Sequence, residues 1–124
     1  SRGSGTILLV EDEPAILDVT ESILTDLGYT VIAAASPQEA EKLAEKHGSE
    51  IELLITDVIM PGMNGSTLEK KLKINCPGLK SLFMSGYTAD IISEHGILDK
   101  DLNFIQKPFS IRDLSEKVKS ILEN

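Results

Sequence analysis

Four apolar runs in this chain end on residues able to do chemistry. Glu11 and Asp12 follow Ile7-Leu8-Leu9-Val10. Asp57 follows Leu53-Leu54-Ile55-Thr56, Ser85 follows Leu82-Phe83-Met84, and Lys107 follows Phe104-Ile105-Gln106. A short apolar run reads as a strand buried on both faces, and the carboxyl edge of an open α/β sheet is where sites form. One parallel sheet would therefore gather three carboxylates, a hydroxyl and an ammonium on one edge. Clustered carboxylates repel, so they need a cation among them or raised pKa values. Oxygen ligands suit a hard ion such as Mg²⁺, which prefers one or two carboxylates plus a phosphate and keeps several waters. With Lys107 to neutralise oxygens and Ser85 to donate a hydrogen bond, the set has the parts for handling a phosphoryl group. Asp57 is the best nucleophile, because it alone ends the middle buried strand. Each signal alone is ordinary: an acidic pair after a strand commonly belongs to a helix N-terminus, a Lys-Pro pair to a loop, a Ser-Gly pair to a turn. Their joint placement after four strands is what those readings leave unexplained.

The elements that must hold these residues alternate regularly. Residues 6–10 read as a first strand, and Glu11-Asp12-Glu13-Pro14 opens a helix to about Leu27, with proline in its first turn and acids at its positive end. Ile16, Thr20, Ile23 and Leu27, with Leu17 and Leu24, form its apolar stripe, and Gly28 caps it. A strand over 29–34 precedes the capping box Ser36-Pro37-Gln38-Glu39 and a helix to His47. The third strand covers 51–56. The third helix starts at Asn64 or Gly65 and runs to Ile74, and the fourth strand covers 79–84. A fourth helix over 89–95 is weakly coded. A strand over 103–106 and a helix capped by Ser110 complete the chain, the latter with Ile111, Leu114, Val118, Ile121 and Leu122 on its apolar face. Alternating strands and helices predict an α/β fold, with helices on both faces of a parallel sheet.

Bulk properties limit the function. The 124 residues suit one domain, 41% apolar and 26% charged. We expect that domain over 6–124, and read Ser1-Arg2-Gly3-Ser4-Gly5 as a cloning remnant. No apolar run approaches the ~20 residues of a membrane span. The net charge of −8 argues against a nucleic-acid surface and against contact with an anionic membrane. One cysteine, Cys76, forms no internal disulfide and fits a reducing, cytoplasmic setting. It reads as an inert, semi-buried thiol, since neither His47 nor His95 offers it an activating pattern.

Four motifs carry a resemblance over 6–122: Leu9-Val10-Glu11-Asp12-Glu13-Pro14, Thr56-Asp57-Val58-Ile59-Met60-Pro61-Gly62-Met63-Asn64-Gly65, Met84-Ser85-Gly86-Tyr87 and Gln106-Lys107-Pro108-Phe109. In this order and spacing they resemble the receiver domain of two-component response regulators. The resemblance implies a flavodoxin-like (βα)5 three-layer sandwich with strand order 2-1-3-4-5. It implies that Asp57 accepts a phosphoryl group from a histidine kinase or histidine phosphotransfer protein. Asp12 and Asp57, with the backbone carbonyl of Ile59, would hold Mg²⁺, and Glu11 would reach it through water. Ser85 and Lys107 would contact the phosphoryl oxygens, and Lys107-Pro108 would be a cis peptide. Phe104 takes the place of the aromatic that swings inward when Ser85 moves. It is often tyrosine in the family, so here a hydroxyl readout is missing. Ile59 and Tyr87 would flank the phosphoryl group, and Ile59 has no group to orient an attacking water, which leads us to expect slow self-dephosphorylation. Finer likeness, in Phe83-Met84-Ser85-Gly86-Tyr87-Thr88, the His95-Gly96 stretch and Ile105-Gln106-Lys107-Pro108-Phe109-Ser110, is to receivers fused to the end of hybrid sensor histidine kinases.

Other classes fit less well. A phosphatase of the haloacid-dehalogenase type also uses a strand-end Asp with Mg²⁺ and Lys, but wants an acid two residues after the nucleophile, where this chain has Ile59. A flavodoxin-like cofactor site would want a Ser/Thr/Gly-rich loop after the first strand, where Glu11-Asp12-Glu13 repels phosphate. A receiver that signals without phosphate usually lacks a key residue, and here Asp12, Asp57, Ser85 and Lys107 are all present. The expected behaviour is a switch that phosphorylates and dephosphorylates itself, not an enzyme turning over outside substrates.

Overall fold

The alternation of side chains along each strand sorts the apolar residues onto two faces of one sheet. The structure, a computed structural model, describes residues 3–88, 92 and 103–124. Its strands are β1 (Thr6–Val10), β2 (Thr30–Ala34), β3 (Leu53–Asp57), β4 (Lys80–Ser85) and β5 (Phe104–Gln106). They pair in parallel in the order β2-β1-β3-β4-β5, the predicted topology. The helices are α1 (Pro14–Asp26), α2 (Pro37–His47), α3 (Gly65–Asn75) and α4 (Ile111–Glu123). The helix predicted over 89–95 lies outside the described residues except for Ile92, so α4 here is the helix predicted from Ser110.

Ile7, Leu9, Ile55, Leu82 and Met84 pack against Leu24 of α1 and Leu114 and Val118 of α4. Leu8, Val10 and Leu54 face the other way, onto Ala40 of α2 and Leu68 and Leu72 of α3. β3 is therefore buried at every residue. It has a strand on either side and a helical layer on either face.

Local signals place the helix ends. Gly28 adopts φ 105° after α1, where only glycine is unstrained, and the Gly28 and Tyr29 N–H groups return to Thr25 and Leu24 carbonyls at 3.0 and 3.1 Å. Ser36, Asn64 and Ser110 cap α2, α3 and α4 with side-chain oxygens 2.9–3.1 Å from the N–H three residues on.

Some details differ from expectation. The third strand covers Leu53–Asp57, not 51–56, and the fourth Lys80–Ser85, not 79–84; each starts later and runs one residue further, because Asp57 is still registered with Met84 and Ser85 with Gln106. Ile111, read as part of an apolar face, is 59% exposed. As the first residue of α4 it projects beyond the sheet that Leu114 and Val118 cover. Among the described residues no helix is long and apolar enough to cross a membrane.

Candidate functional site

Three strand ends meet at the carboxyl edge. β3 delivers Asp57 as its last residue, still registered with Met84, while Glu11 and Lys107 each stand one step beyond the last registered residue of β1 and β5. The Glu11 side chain is fully buried and that of Asp57 is 7% exposed. Lys107 Nζ lies 2.6 Å from Glu11 Oε1 and 2.5 Å from Asp57 Oδ1. Glu11 Oε2 accepts the Glu13 N–H at 3.1 Å. Asp12 is exposed, yet one carboxylate oxygen each from Glu11, Asp12 and Asp57 lie within 4.8 Å of one another.

The electrostatics follow from this packing. Burial pushes the Asp57 carboxyl up, the Glu11 carboxyl beside it pushes further, and Lys107 offsets this only in part, leaving a value of about 8. Burial also raises Glu11, but hydrogen bonds with Asp57, Lys107 and the Glu13 N–H outweigh it and hold Glu11 below the ordinary range. Burial lowers Lys107, and its two carboxylate partners more than reverse that. One ammonium thus does not neutralise the pocket, and the Asp57 carboxyl is held above the ordinary carboxylate range. The donor set suits a hard divalent ion. Glu11, Asp12 and Asp57 each offer a carboxylate oxygen, all within 4.8 Å of one another, and such oxygens are the donors that Mg²⁺ would take.

The backbone around Asp57 is tightly closed. Its carbonyl accepts the Thr56 hydroxyl at 3.0 Å. The Val58 N–H extends the ladder to Met84 O at 2.9 Å, and the Gly65 N–H returns to Val58 O at 2.7 Å. A Cβ on Gly65 would stand 2.2 Å from Asp57 O and 3.0 Å from Thr56 Cγ2. Gly65, read in the sequence only as a helix start, is therefore what lets α3 begin directly behind Asp57. The pattern Asp followed eight residues later by Gly was the available signal.

The remaining residues named from sequence lie around this core. Ser85 is buried, its Oγ accepts the Tyr87 N–H at 3.0 Å, and its carbonyl accepts the Lys107 N–H at 2.8 Å. Lys107-Pro108 is cis. Phe104 is half-buried against Val58, Phe83 and Ile92, with β4 between its strand and that of Asp57. Ile59 lies in the loop after β3, and the side chains of Ile59 and Tyr87 are about half exposed. Cys76 is half-buried, with Sγ 3.4 Å from Gly48 O. Of the predicted stripe of α1, Leu17, Ile23, Leu24 and Leu27 meet the core, while Ile16, Thr20 and Ile23, together with Val19 from outside the stripe and with Lys107, Pro108 and Phe109, line an open groove of about 530 Å³.

Residues 7–119 match the profile of the response regulator receiver domain. The sensor kinase CckA of Brucella abortus (strain 2308) is 41% identical over 121 residues, 98% of this chain but 13% of the kinase. The response regulator receiver protein CpdR of the same organism is 32% identical over 117 residues, 94% of this chain and 95% of CpdR. Among solved structures, the receiver domain of the hybrid histidine kinase CckA aligns with TM-score 0.81 at 40% identity, covering 95% of this chain and 99% of that one. The chain thus spans well under a quarter of two of the curated relatives it matches, 13% of CckA and 19% of a putative two-component response regulator of Arabidopsis thaliana.

Proposed function

The chain belongs to the response regulator receiver domain family, and from that premise we propose that it is a phosphorelay switch charged at Asp57 by a phosphohistidine donor. The observation that carries this is the buried Asp57 carboxylate at a central strand end, sharing Lys107 with Glu11 beside the exposed Asp12. A carboxylate oxygen of Asp57 attacks phosphorus, the O–P bond forms as the N–P bond of the donor breaks, and the donor imidazole leaves. Asp12 and Asp57, with the Ile59 carbonyl and with Glu11 through water, would hold Mg²⁺, which when bound supplies charge neutralisation at the phosphoryl oxygens. Lys107 transfers its ammonium from Asp57 Oδ1 to a phosphoryl oxygen. Ser85 gives up the Tyr87 N–H, turns its hydroxyl to another, and Phe104 repacks behind it. New charge at one point thereby biases a two-state element.

Incubation with a small acyl phosphate and Mg²⁺, read by intact mass, tests this. The wild-type chain should gain one phosphoryl group and the Asp57→Asn variant none. A haloacid-dehalogenase-like phosphatase would instead release phosphate continuously, and Ile59 supplies no general acid for that.

The donor is a sensor histidine kinase or a histidine phosphotransfer protein, in a cytoplasmic setting, with a hybrid kinase as parent chain. The groove between α1 and Pro108-Phe109, which runs to Lys107, is the surface on which the donor would seat. Val19, 60% exposed there, is the residue to charge. Val19→Glu should lower phosphoryl transfer from a phosphohistidine donor by about thirtyfold or more, the effect of losing an interface anchor of ~2 kcal/mol, while labelling by acyl phosphate stays at wild-type rate. Self-dephosphorylation is slow, because Ile59 positions no water. Ile59→Asn should shorten the phosphoryl lifetime roughly tenfold, below the ~10²–10⁴-fold of full general-base help. A lifetime that lengthens in this variant contradicts that role for Ile59.

A further inference from the structure

We infer that Thr56 is a positioning residue for the acceptor: its hydroxyl holds the Asp57-Val58 peptide and thereby sets the direction in which the Asp57 side chain leaves the strand. This role rests on the reading of Asp57 as the residue that takes the phosphoryl group.

Asp57 stands where the ladder ends. On the β1 side the register closes with Val10 beside Thr56, one residue short of Asp57. On the β4 side Asp57 is the last residue of β3 in register, beside Met84. At that point the Thr56 hydroxyl, fully buried, donates to the Asp57 carbonyl at 3.0 Å. The N–H of the same peptide unit, that of Val58, donates to Met84 O at 2.9 Å. A peptide unit is planar, so this one is tethered at both ends and cannot turn without breaking one of the two bonds. The Asp57 Cα lies at the head of that plane. The unit that follows is tied as well, because Val58 O accepts the Gly65 N–H at 2.7 Å.

The two branches of Thr56 have different tasks. Its Cγ2 methyl faces the start of α3, 3.0 Å from the point where a Cβ on Gly65 would stand. The same point is 2.2 Å from Asp57 O, so α3 closes over the carbonyl on the side that the methyl fills. The hydroxyl also lies 3.8 Å from Met60 Sδ, a weaker acceptor, and the carbonyl takes its proton. Valine would set a second methyl against the Asp57 carbonyl in place of the donor, the costly way to lose a buried hydrogen bond. Serine would keep the donor and omit only the methyl. By pattern alone Thr56 is one more β-branched residue in a strand.

Labelling of the full chain by a small acyl phosphate with Mg²⁺ tests this, followed by intact mass at a temperature where circular dichroism shows each protein folded. Thr56→Val should label about tenfold more slowly than wild type, since misplacing a reacting group by ~1 Å costs up to roughly a hundredfold and the Met84 bond still holds one end. Thr56→Ser, which carries the same hydroxyl donor, should stay within about twofold of wild type. Packing alone predicts the reverse order, because serine loses the methyl against α3 and valine keeps it. Thr56→Val labelling at the wild-type rate, or Thr56→Ser as slow as Thr56→Val, overturns the positioning role and leaves Asp57 as the acceptor. No label on the wild-type chain overturns both. If Thr56→Val does not fold, Thr56→Ser and Thr56→Ala, which differ by the hydroxyl alone, decide. The serine variant should then label several-fold faster, and equal rates overturn the proposal.

Discussion

Without a divalent ion, the Asp57→Asn variant should melt several degrees above the wild-type chain. The reason is the burial and crowding of charge beside Glu11. In the folded chain the Asp57 carboxyl titrates near 8, against 3.8 ordinarily. Between those values the native state holds a proton that the unfolded state has released. Stability therefore falls as pH rises through this window, being fully present below the unfolded pKa and lost as pH passes the folded one. Asparagine keeps the shape and carries no charge. Its advantage should be small near pH 4 and reach about 1–3 kcal/mol near pH 8, within the range for replacing buried charges, or several degrees in Tm. Thermal melts of both proteins across that window check it, the difference between them cancelling the general repulsion of a chain with net charge −8. A difference that does not widen with pH would mean that the pocket neutralises its own charge.

Gly65→Ala should be strongly destabilising, because no side chain can yield to the added methyl. The new Cβ would sit 2.2 Å from the Asp57 carbonyl oxygen. That oxygen is backbone, already fixed by the Thr56 hydroxyl at 3.0 Å, so no flexible side chain can give way. Either α3 shifts outward, breaking the 2.7 Å bond from the Gly65 N–H to Val58 O, or Asp57 moves from Lys107. Overpacking of this kind costs about 1–3 kcal/mol and occasionally more, so Tm should fall by roughly 10 °C. Phosphorylation by acyl phosphate should slow at temperatures where the variant is still folded. An Ala variant that labels at the wild-type rate would show that the acceptor does not depend on this close approach.

Much of the site was legible because its residues end apolar runs. Asp57 could be placed on the middle strand from Leu53 to Thr56 alone, and parallel pairing then brought Glu11, Asp12, Ser85 and Lys107 to the same edge. What was not legible depends on reach and close approach, not on pattern. The bond between Glu11 and Lys107 joins residues 96 apart in sequence and depends on the length of one side chain. Gly65 looks like any helix start until the carbonyl behind it is in place. The α1 stripe and Ile111 show the same limit from the apolar side. Helical spacing reveals an apolar face but not how far the neighbouring sheet extends to cover it, so Ile16 and Ile111, read on apolar faces, are half-buried and exposed respectively.

The lengths of the strands divide the site unequally. Asp57 is carried by β3, buried at all five residues and bordered by β1 and β4. Lys107 leaves β5, which has three residues and one neighbour. Opening energies within a native protein range from near zero for thinly held segments to the global value for core strands. Hydrogen exchange should therefore be slowest at Asp57 and faster at the short outer strand that carries Lys107. The carboxylate stays at a fixed address, while the cation that partners it stands on the sheet's less deeply held edge.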